Sequence, residues 1–109
     1  MAEEEQRLSS EQELRDALDQ VRVADILLNA LSAAASIGFH RVSAEARDLG
    51  QARLAIEALR ALEPVLREGG VEERIVRDLE QARTNLQLAY AKAAGETSPA
   101  HAPDPDPEP

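Results

Sequence analysis

Apolar residues recur every three or four positions through most of this chain, which is the period of an amphipathic α-helix. Ser10 followed by Glu13 fits a capping box, so the first helix is expected to start near residue 10. Gly38 fits the left-handed position just past a helix end, with Phe39 folding back as in a Schellman motif. These signals predict one continuous helix over about residues 10–37. Its buried stripe would be Leu14, Ala17, Val21, Ala24, Leu28, Leu31 and Ala35.

The second predicted helix covers about residues 49–68. Asp48 with Gln51 three residues later is a second capping-box pattern, and Gly69–Gly70 is a strong stop signal. Pro64 lies on the outer side and cannot donate a backbone hydrogen bond, so we expect a kink or a helix end there. The buried stripe would be Ala52, Ala55, Ile56, Leu59, Leu62 and Leu66, and the outer side would include an Arg53–Glu57 ion pair.

The third predicted helix covers about residues 71–94, with Gly95 as its stop. No segment alternates apolar and polar residues with the period of a strand. The pattern therefore predicts an all-α fold, a three-helix up-down bundle over residues 10–95. The stripe of the third helix would be Ile75, Leu79, Ala82, Leu86, Ala89 and Ala93.

Two terminal segments are expected to lie outside the bundle. Residues 1–9 are polar and acidic, which is typical of a flexible terminus. Residues 96–109 alternate proline with acidic residues and lack large apolar side chains, so they are predicted to be a disordered acidic tail. Whether this tail only aids solubility or is a docking peptide stays open.

The first helix carries more apolar surface than one stripe needs. A second apolar row adjoins the first, and a helix that is apolar over most of its circumference must be covered on two sides. Its cover could be the other two helices, a second copy of the chain or another helical protein. Asp25, Asn29, Ser32 and Ser36 form a narrow polar stripe, either exposed to water or a polar seam against a partner. The second row, our candidate interaction face, is Val23, Ile26, Leu27, Ala30, Ala34 and Ile37.

The formal net charge of −9 argues against nucleic acid as a partner. Residues 1–20 carry a net charge of −5 and residues 96–109 carry −4, while residues 21–95 hold ten charges of each sign. Nucleic acid and anionic membrane surfaces would both be repelled at the ends and would meet no basic stripe between them. The hydrophobic share of 43% includes only two aromatic residues, Phe39 and Tyr90, so the core is thin and association with another chain is expected.

Compartment and source are indicated by residue usage. The chain has no cysteine, which excludes disulfides, and its acidic N-terminus is unlike a secretory signal. The longest apolar run has about 14 residues, whereas a membrane-spanning helix needs about 20. We therefore predict a cytoplasmic protein without a membrane span. Abundant alanine, with eleven arginines among the twelve basic residues, is typical of a bacterium with a GC-rich genome.

No residue pattern points to catalysis, a cofactor or a metal site. The only histidines, His40 and His101, fall in a predicted loop and in the tail, so a shared metal site is not expected. The serines lack a nearby base, and the glycines form no phosphate-binding loop. Tyr90 is expected to pack beside the third helix's stripe with its hydroxyl at the rim. The sequence thus predicts a non-enzyme with no catalytic residue.

Residues ~21–94 resemble the bacterial family called domain of unknown function 1844. The resemblance is carried by the apolar helix ending in "SIGF", by "DLGQARLAIEALRALEPVL" and by "LEQARTNLQLAYAKA". It implies a small cytosolic helical protein with no established activity, and it carries over no catalytic residues.

Together these features predict a non-enzymatic helical interaction module that self-associates, as a homo-oligomer, or binds another helical protein through apolar helix faces. The alternative is a small-ligand-binding protein or an accessory enzyme subunit with an apolar pocket between the helices.

Overall fold

The computed structural model of the chain describes residues 2–97 and is all-α. No strand occurs in this range, which confirms the predicted fold class, but it holds four α-helices where three were expected. The predicted tail lies, from residue 98 on, outside the described residues. The helices are α1 (Ala2–Gln20), α2 (Val23–Val42), α3 (Leu49–Glu68) and α4 (Glu73–Thr97), with a short 3-10 turn at Ala44–Ala46.

The predicted helix over residues 10–37 is two helices, so this prediction is wrong. The helical conformation is interrupted at Val21–Arg22, where Arg22 has an extended backbone (φ −104°, ψ 139°). Helix α1 begins at Ala2, so Ser10 lies inside it instead of capping it, and residues 2–9 are helical. No residue of α1 is buried, because α1 makes no extensive packing contact with the other helices. The N-terminal part of the predicted stripe is consequently exposed: Leu14, Ala17 and Val21.

Gly38 does not end a helix, since α2 continues to Val42. A Cβ atom on Gly38 would lie 2.7 Å from Cδ2 of Leu86 and 3.0 Å from Cβ of Ala55. The glycine therefore permits close approach of α2 to α3 and α4, and this contact explains why a residue without a side chain stands here. The expected Schellman motif with Phe39 is absent at this position.

A Schellman motif instead ends α3. Gly70 has a positive φ of 86°. The backbone N–H of Val71 donates to the carbonyl of Leu66 (3.1 Å), and the N–H of Gly70 donates to the carbonyl of Arg67 (3.1 Å). Val71 also packs against the core beside Leu66. The predicted stop at Gly69–Gly70 is confirmed.

The predicted start of α3 is also confirmed. A carboxylate oxygen of Asp48 accepts a hydrogen bond from the backbone N–H of Gln51 at 3.2 Å, which satisfies an otherwise free helix-end donor. Pro64 is exposed inside α3, which continues through it to Glu68 and does not end there. Gly95 likewise lies inside α4 and does not stop it.

Helices α2, α3 and α4 pack on one another and share the buried core. The first cluster joins Leu31 and Ala35 of α2 to residues of α3 and α4, and the second joins Ala55 and Ile56 to Leu86. Of the stripe predicted for α3, only Leu62 is half-buried and the rest is fully buried. The first cluster also contains Leu59, Leu66, Val76 and Leu79.

Arg47 fixes the connection between α2 and α3. Its Nη2 donates to the carbonyl of Val42 at 2.8 Å, which satisfies a carbonyl at the end of α2. Its Nη1 contacts the carbonyl of Ala93 (3.4 Å) and the carboxylate of Glu96 (3.3 Å) near the end of α4. The guanidinium of Arg47 thus forms hydrogen bonds at the C-terminal ends of both α2 and α4.

Candidate functional site

Helix α2 presents an apolar row that nothing in the described chain covers. Val23 is 72% exposed, and the row continues through further exposed residues at steps of three, four, three and four. This spacing averages 3.5 residues and is typical of a helix that packs against another helix along a narrow seam. The row is Val23, Ile26, Ala30, Ala33 and Ile37.

Helix α3 presents a second row of the same kind. Leu54 is 62% exposed and Val65 is 44% exposed, although both lie on a helix whose opposite side is fully buried. The steps between its residues are four, three and four. The row is Leu54, Ala58, Ala61 and Val65, of which Ala58 is half-buried.

The two rows border one shallow surface because α2 and α3 are antiparallel neighbours. At one end, Ile37 and Leu54 line the same hollow. At the other end, Nη2 of Arg22 donates to the carbonyl of Gly69 at 3.3 Å, so the start of α2 lies beside the end of α3. We call the nine residues of the two rows the α2–α3 face. None of them is charged.

The candidate interaction face predicted from sequence overlaps this surface without matching it. Val23, Ile26, Ala30 and Ile37 are exposed members of the α2–α3 face. Leu27 and Ala34 are half-buried, since Leu27 packs against the first core cluster and Ala34 against the second. Ala33, which the sequence interpretation left out, is exposed between Ala30 and Ile37. The adjoining face of α3 was expected to take part, but its residues were not named, although the 4-3-4 spacing of its exposed apolar residues was a signal that could have identified them.

The hollow on the α2–α3 face is small. Its volume is about 140 Å³, and it is open to solvent between Ala34 and Ile37 of α2 and Leu54 and Ala58 of α3. Ligand pockets generally have volumes of about 300–1,000 Å³ and enclose most of the ligand. The hollow is better suited to a single side chain than to a metabolite.

The polar stripe of α2 lies on its third side. Asp25, Asn29, Ser32 and Ser36 are all exposed, and the hydroxyl of Ser36 donates to the carbonyl of Ser32 within the helix (3.2 Å). By length and composition alone, α2 could cross a membrane, and few of its residues are buried. This is weak evidence for a membrane span, because core helices of soluble proteins meet the same criterion.

The surface between α3 and α4 is charged, unlike the α2–α3 face. A second hollow there is lined by Arg53, Glu57, Arg60 and Tyr90. Arg60 donates to Glu57 at 3.1 Å, whereas the ion pair predicted from sequence was Arg53–Glu57. Tyr90 is half-buried and packs against the second core cluster.

Further ion pairs join α3 to α4 beside the turn between them. Arg67 Nη2 lies 2.9 Å from Glu73 and 2.8 Å from Glu80. The hydrogen bond from Arg67 lowers the pKa of Glu73 below its ordinary value. Within residues 2–97, no group of three or more histidine or carboxylate side chains is placed to hold a metal ion. His40 lies in the last turn of α2, and His101 falls outside the described residues.

The sequence interpretation missed one buried charge. Glu63 is only 3% exposed, and its two carboxylate oxygens lie 3.2 and 3.0 Å from Nε of Arg83 on α4. Glu63 follows Leu59 by four positions and precedes Leu66 by three, so the helical period places it on the buried stripe. The partner could not be identified in this way, because it lies on another helix.

No family model, curated protein or solved structure matches this chain. The resemblance to domain of unknown function 1844 therefore stays a prediction.

Proposed function

We propose that this protein is a non-enzymatic helical interaction module that binds a helical protein surface through the α2–α3 face. The observation that carries the proposal is the exposure of two apolar rows with coiled-coil spacing on adjacent antiparallel helices. Such a surface lacks the polar groups that orient a substrate, but it offers grooves into which the side chains of another helix can insert.

The proposal includes a cytoplasmic location and excludes a membrane span of α2. If α2 crossed a bilayer, Asp25 and Asn29 would face lipid or a second protein, and α3 and α4 would bring their ion pairs to the same depth. Flotation with liposomes tests this point: the protein is expected to stay in the aqueous fraction. Membership of the family called domain of unknown function 1844 is proposed on the residues quoted above.

The small-ligand alternative is less well supported. The apolar hollow beside Ile37 and Leu54 is smaller than ordinary ligand pockets and is open on one side. A thermal-shift screen against metabolites would favour this alternative if one compound raised the melting temperature of the wild type but not that of Leu54→Glu.

The interaction role is tested with three tagged proteins: wild type, Leu54→Glu and Leu88→Glu. Leu88 is the matched control because it is 66% exposed, close to the 62% of Leu54, but lies on α4 outside the α2–α3 face. A bound protein, either a second copy or another chain, should be retained by wild type and by Leu88→Glu and lost by Leu54→Glu. If no protein is retained, or if all three variants retain it equally, the α2–α3 face is not an interaction site.

A further inference from the structure

We propose that the α2–α3 face is covered by the same face of a second copy of this chain, in an antiparallel twofold arrangement. The proposal rests on the interaction role above and names its partner. The twofold axis would cross α2 near Ala30 and α3 between Ala58 and Ala61, so that α2 lies on the partner's α2 and α3 on the partner's α3.

The distribution of side-chain sizes supports a symmetric partner. Both rows have alanines in the middle and larger residues at the ends: Val23, Ile26 and Ile37 on α2, and Leu54 and Val65 on α3. Alanines let two crossing helices approach closely at the crossing point, and larger side chains fill the space where the helices diverge. A twofold axis requires a surface that is complementary to itself when reversed. Reversal places Leu54 opposite the partner's Val65 on α3. On α2 it places Val23 opposite the partner's Ile37 and Ile26 opposite the partner's small Ala34.

The area of the face is at the lower limit for a specific dimer. The nine residues of the face, with about six neighbouring residues, give roughly 900 Å² for both subunits together at about 30 Å² per interface residue, which is the range of weak dimers. An interface formed only by the row of one helix and its copy would bury much less area than this limit, so both α2 and α3 must take part. We expect dissociation constants of about 1–100 µM for an interface of this size.

The charge of α1 favours the antiparallel arrangement over the parallel one. Both ends of the face itself carry charges of both signs, so they do not select an orientation: Arg41 and Asp48 lie at one end, and Arg22, Arg67 and Glu68 lie at the other. A parallel arrangement would bring to the same end the two α1 helices, each of which ends at Gln20, close to Val23, and carries a net charge of −5.

Sedimentation velocity of the full chain from about 1 to 500 µM brackets this affinity range and tests the proposal. Wild type and Leu88→Glu should dimerise. Leu54→Glu and Ile37→Glu should weaken self-association at least about tenfold, because twofold symmetry buries two uncompensated carboxylates per dimer. Both residues are more than half exposed in the single chain, so circular dichroism should show unchanged folding.

Single cysteines report the arrangement, because the chain has no cysteine of its own. With a short bismaleimide, Ala30→Cys should cross-link to itself. Val23→Cys and Ile37→Cys should each stay uncross-linked alone and cross-link when mixed. Efficient cross-linking of Val23→Cys alone would overturn the antiparallel arrangement, as would a failure of the mixed pair.

The remaining outcomes separate this proposal from the interaction role. If wild type is monomeric throughout but another protein is lost by Leu54→Glu, the second copy is wrong and the interaction role stands. If wild type is monomeric and retains no protein, both are wrong. If removal of residues 2–20 abolishes a dimer that Leu54→Glu leaves intact, α1 is the dimerisation element and the proposal is overturned.

Discussion

Nε of Arg83 lies 3.0 Å from a carboxylate oxygen of Glu63, which joins α4 to a charge that is almost fully buried on α3. Arg83 also donates from Nη1 to the side chain of Gln87 (3.4 Å), and its own side chain is 22% exposed. The hydrogen bond that Arg83 donates to Glu63 raises the pKa of Arg83 above its ordinary value. A buried carboxylate with one cationic partner is sensitive to the loss of that partner.

Arg83→Met should therefore destabilise the bundle by about 2–3 kcal/mol, somewhat less than for a fully buried pair because Arg83 is partly exposed. Urea unfolding followed by circular dichroism measures this change. The control is Arg74→Met, since Arg74 is exposed on the same helix and forms no ion pair within residues 2–97. The double variant Glu63→Met, Arg83→Met should recover most of the loss, and a double variant as unstable as Arg83→Met would contradict this account.

Gly38→Ala should destabilise the protein by about 1–2 kcal/mol, because overpacking outweighs the gain in helix propensity. The new methyl would meet Leu86 and Ala55, and Ala55 cannot move away without its helix. Gly50→Ala is the matched control in α3, where the added Cβ would meet only an Asp48 oxygen at 3.5 Å. It should leave stability unchanged or raise it slightly.

Thermal unfolding of both glycine variants checks the prediction. The Leu86→Ala substitution opens space beside Gly38. In that background, Gly38→Ala should therefore lower the free energy of unfolding by less than it does in wild type. An equal cost in both backgrounds would show that the backbone, and not the contact with Leu86, requires glycine.

The ion pair between Arg67 and Glu73 should make stability depend on pH. The folded state holds the pKa of Glu73 below the ordinary 4.5, so the pair stabilises the protein above that pH and its contribution is lost as the pH falls through the lowered pKa. Glu73→Gln should thus lower the melting temperature at neutral pH, and the difference from wild type should vanish in acid.

Glu72→Gln controls for the general effect of removing an acid at the start of α4. Glu72 is exposed and adjacent to Glu73, but it forms no ion pair in the part of the chain that the structure describes. If its melting temperature changed with pH as that of Glu73→Gln does, helix-dipole effects and not Arg67 would explain the dependence.

Leu28→Asp and Ser36→Glu test the assignment of faces on α2. Leu28 is half-buried against the first core cluster, so an aspartate there should cost at least about 2 kcal/mol or unfold the chain. Ser36 is exposed on the polar stripe, and a glutamate should change stability by less than about 0.5 kcal/mol. Chemical denaturation of both variants measures the difference, and equal losses would be inconsistent with the observed faces.

Helix α3 could be predicted from sequence almost completely, because local signals decide its start, its end and its buried side. Asp48 caps it, Gly70 ends it, and its apolar residues keep a regular helical period. Each of these signals involves residues close together in the sequence, so no other helix had to be known.

The break before α2 and the role of Gly38 could not be predicted, for different reasons. Val21 and Arg22 are ordinary helix residues, and the apolar period continues across them, so no local signal marks the break. A glycine that ends a helix and a glycine that admits a neighbouring helix look alike in sequence. Only the position of Leu86 on α4 distinguishes the two. The partner of Glu63 was hidden for the same reason.

The contact between Arg22 and Gly69 has a mechanical consequence. Helix α1 is about 28 Å long and is connected to the bundle at Val21 and Arg22, so it acts as a lever with its pivot at that point. A rotation of about 30° at the pivot moves the far end of the lever by about 15 Å. The Arg22 side chain holds the pivot to the carbonyl of Gly69 in the turn after α3. Loss of this hydrogen bond would therefore leave the 19-residue helix freer to change its direction relative to the bundle.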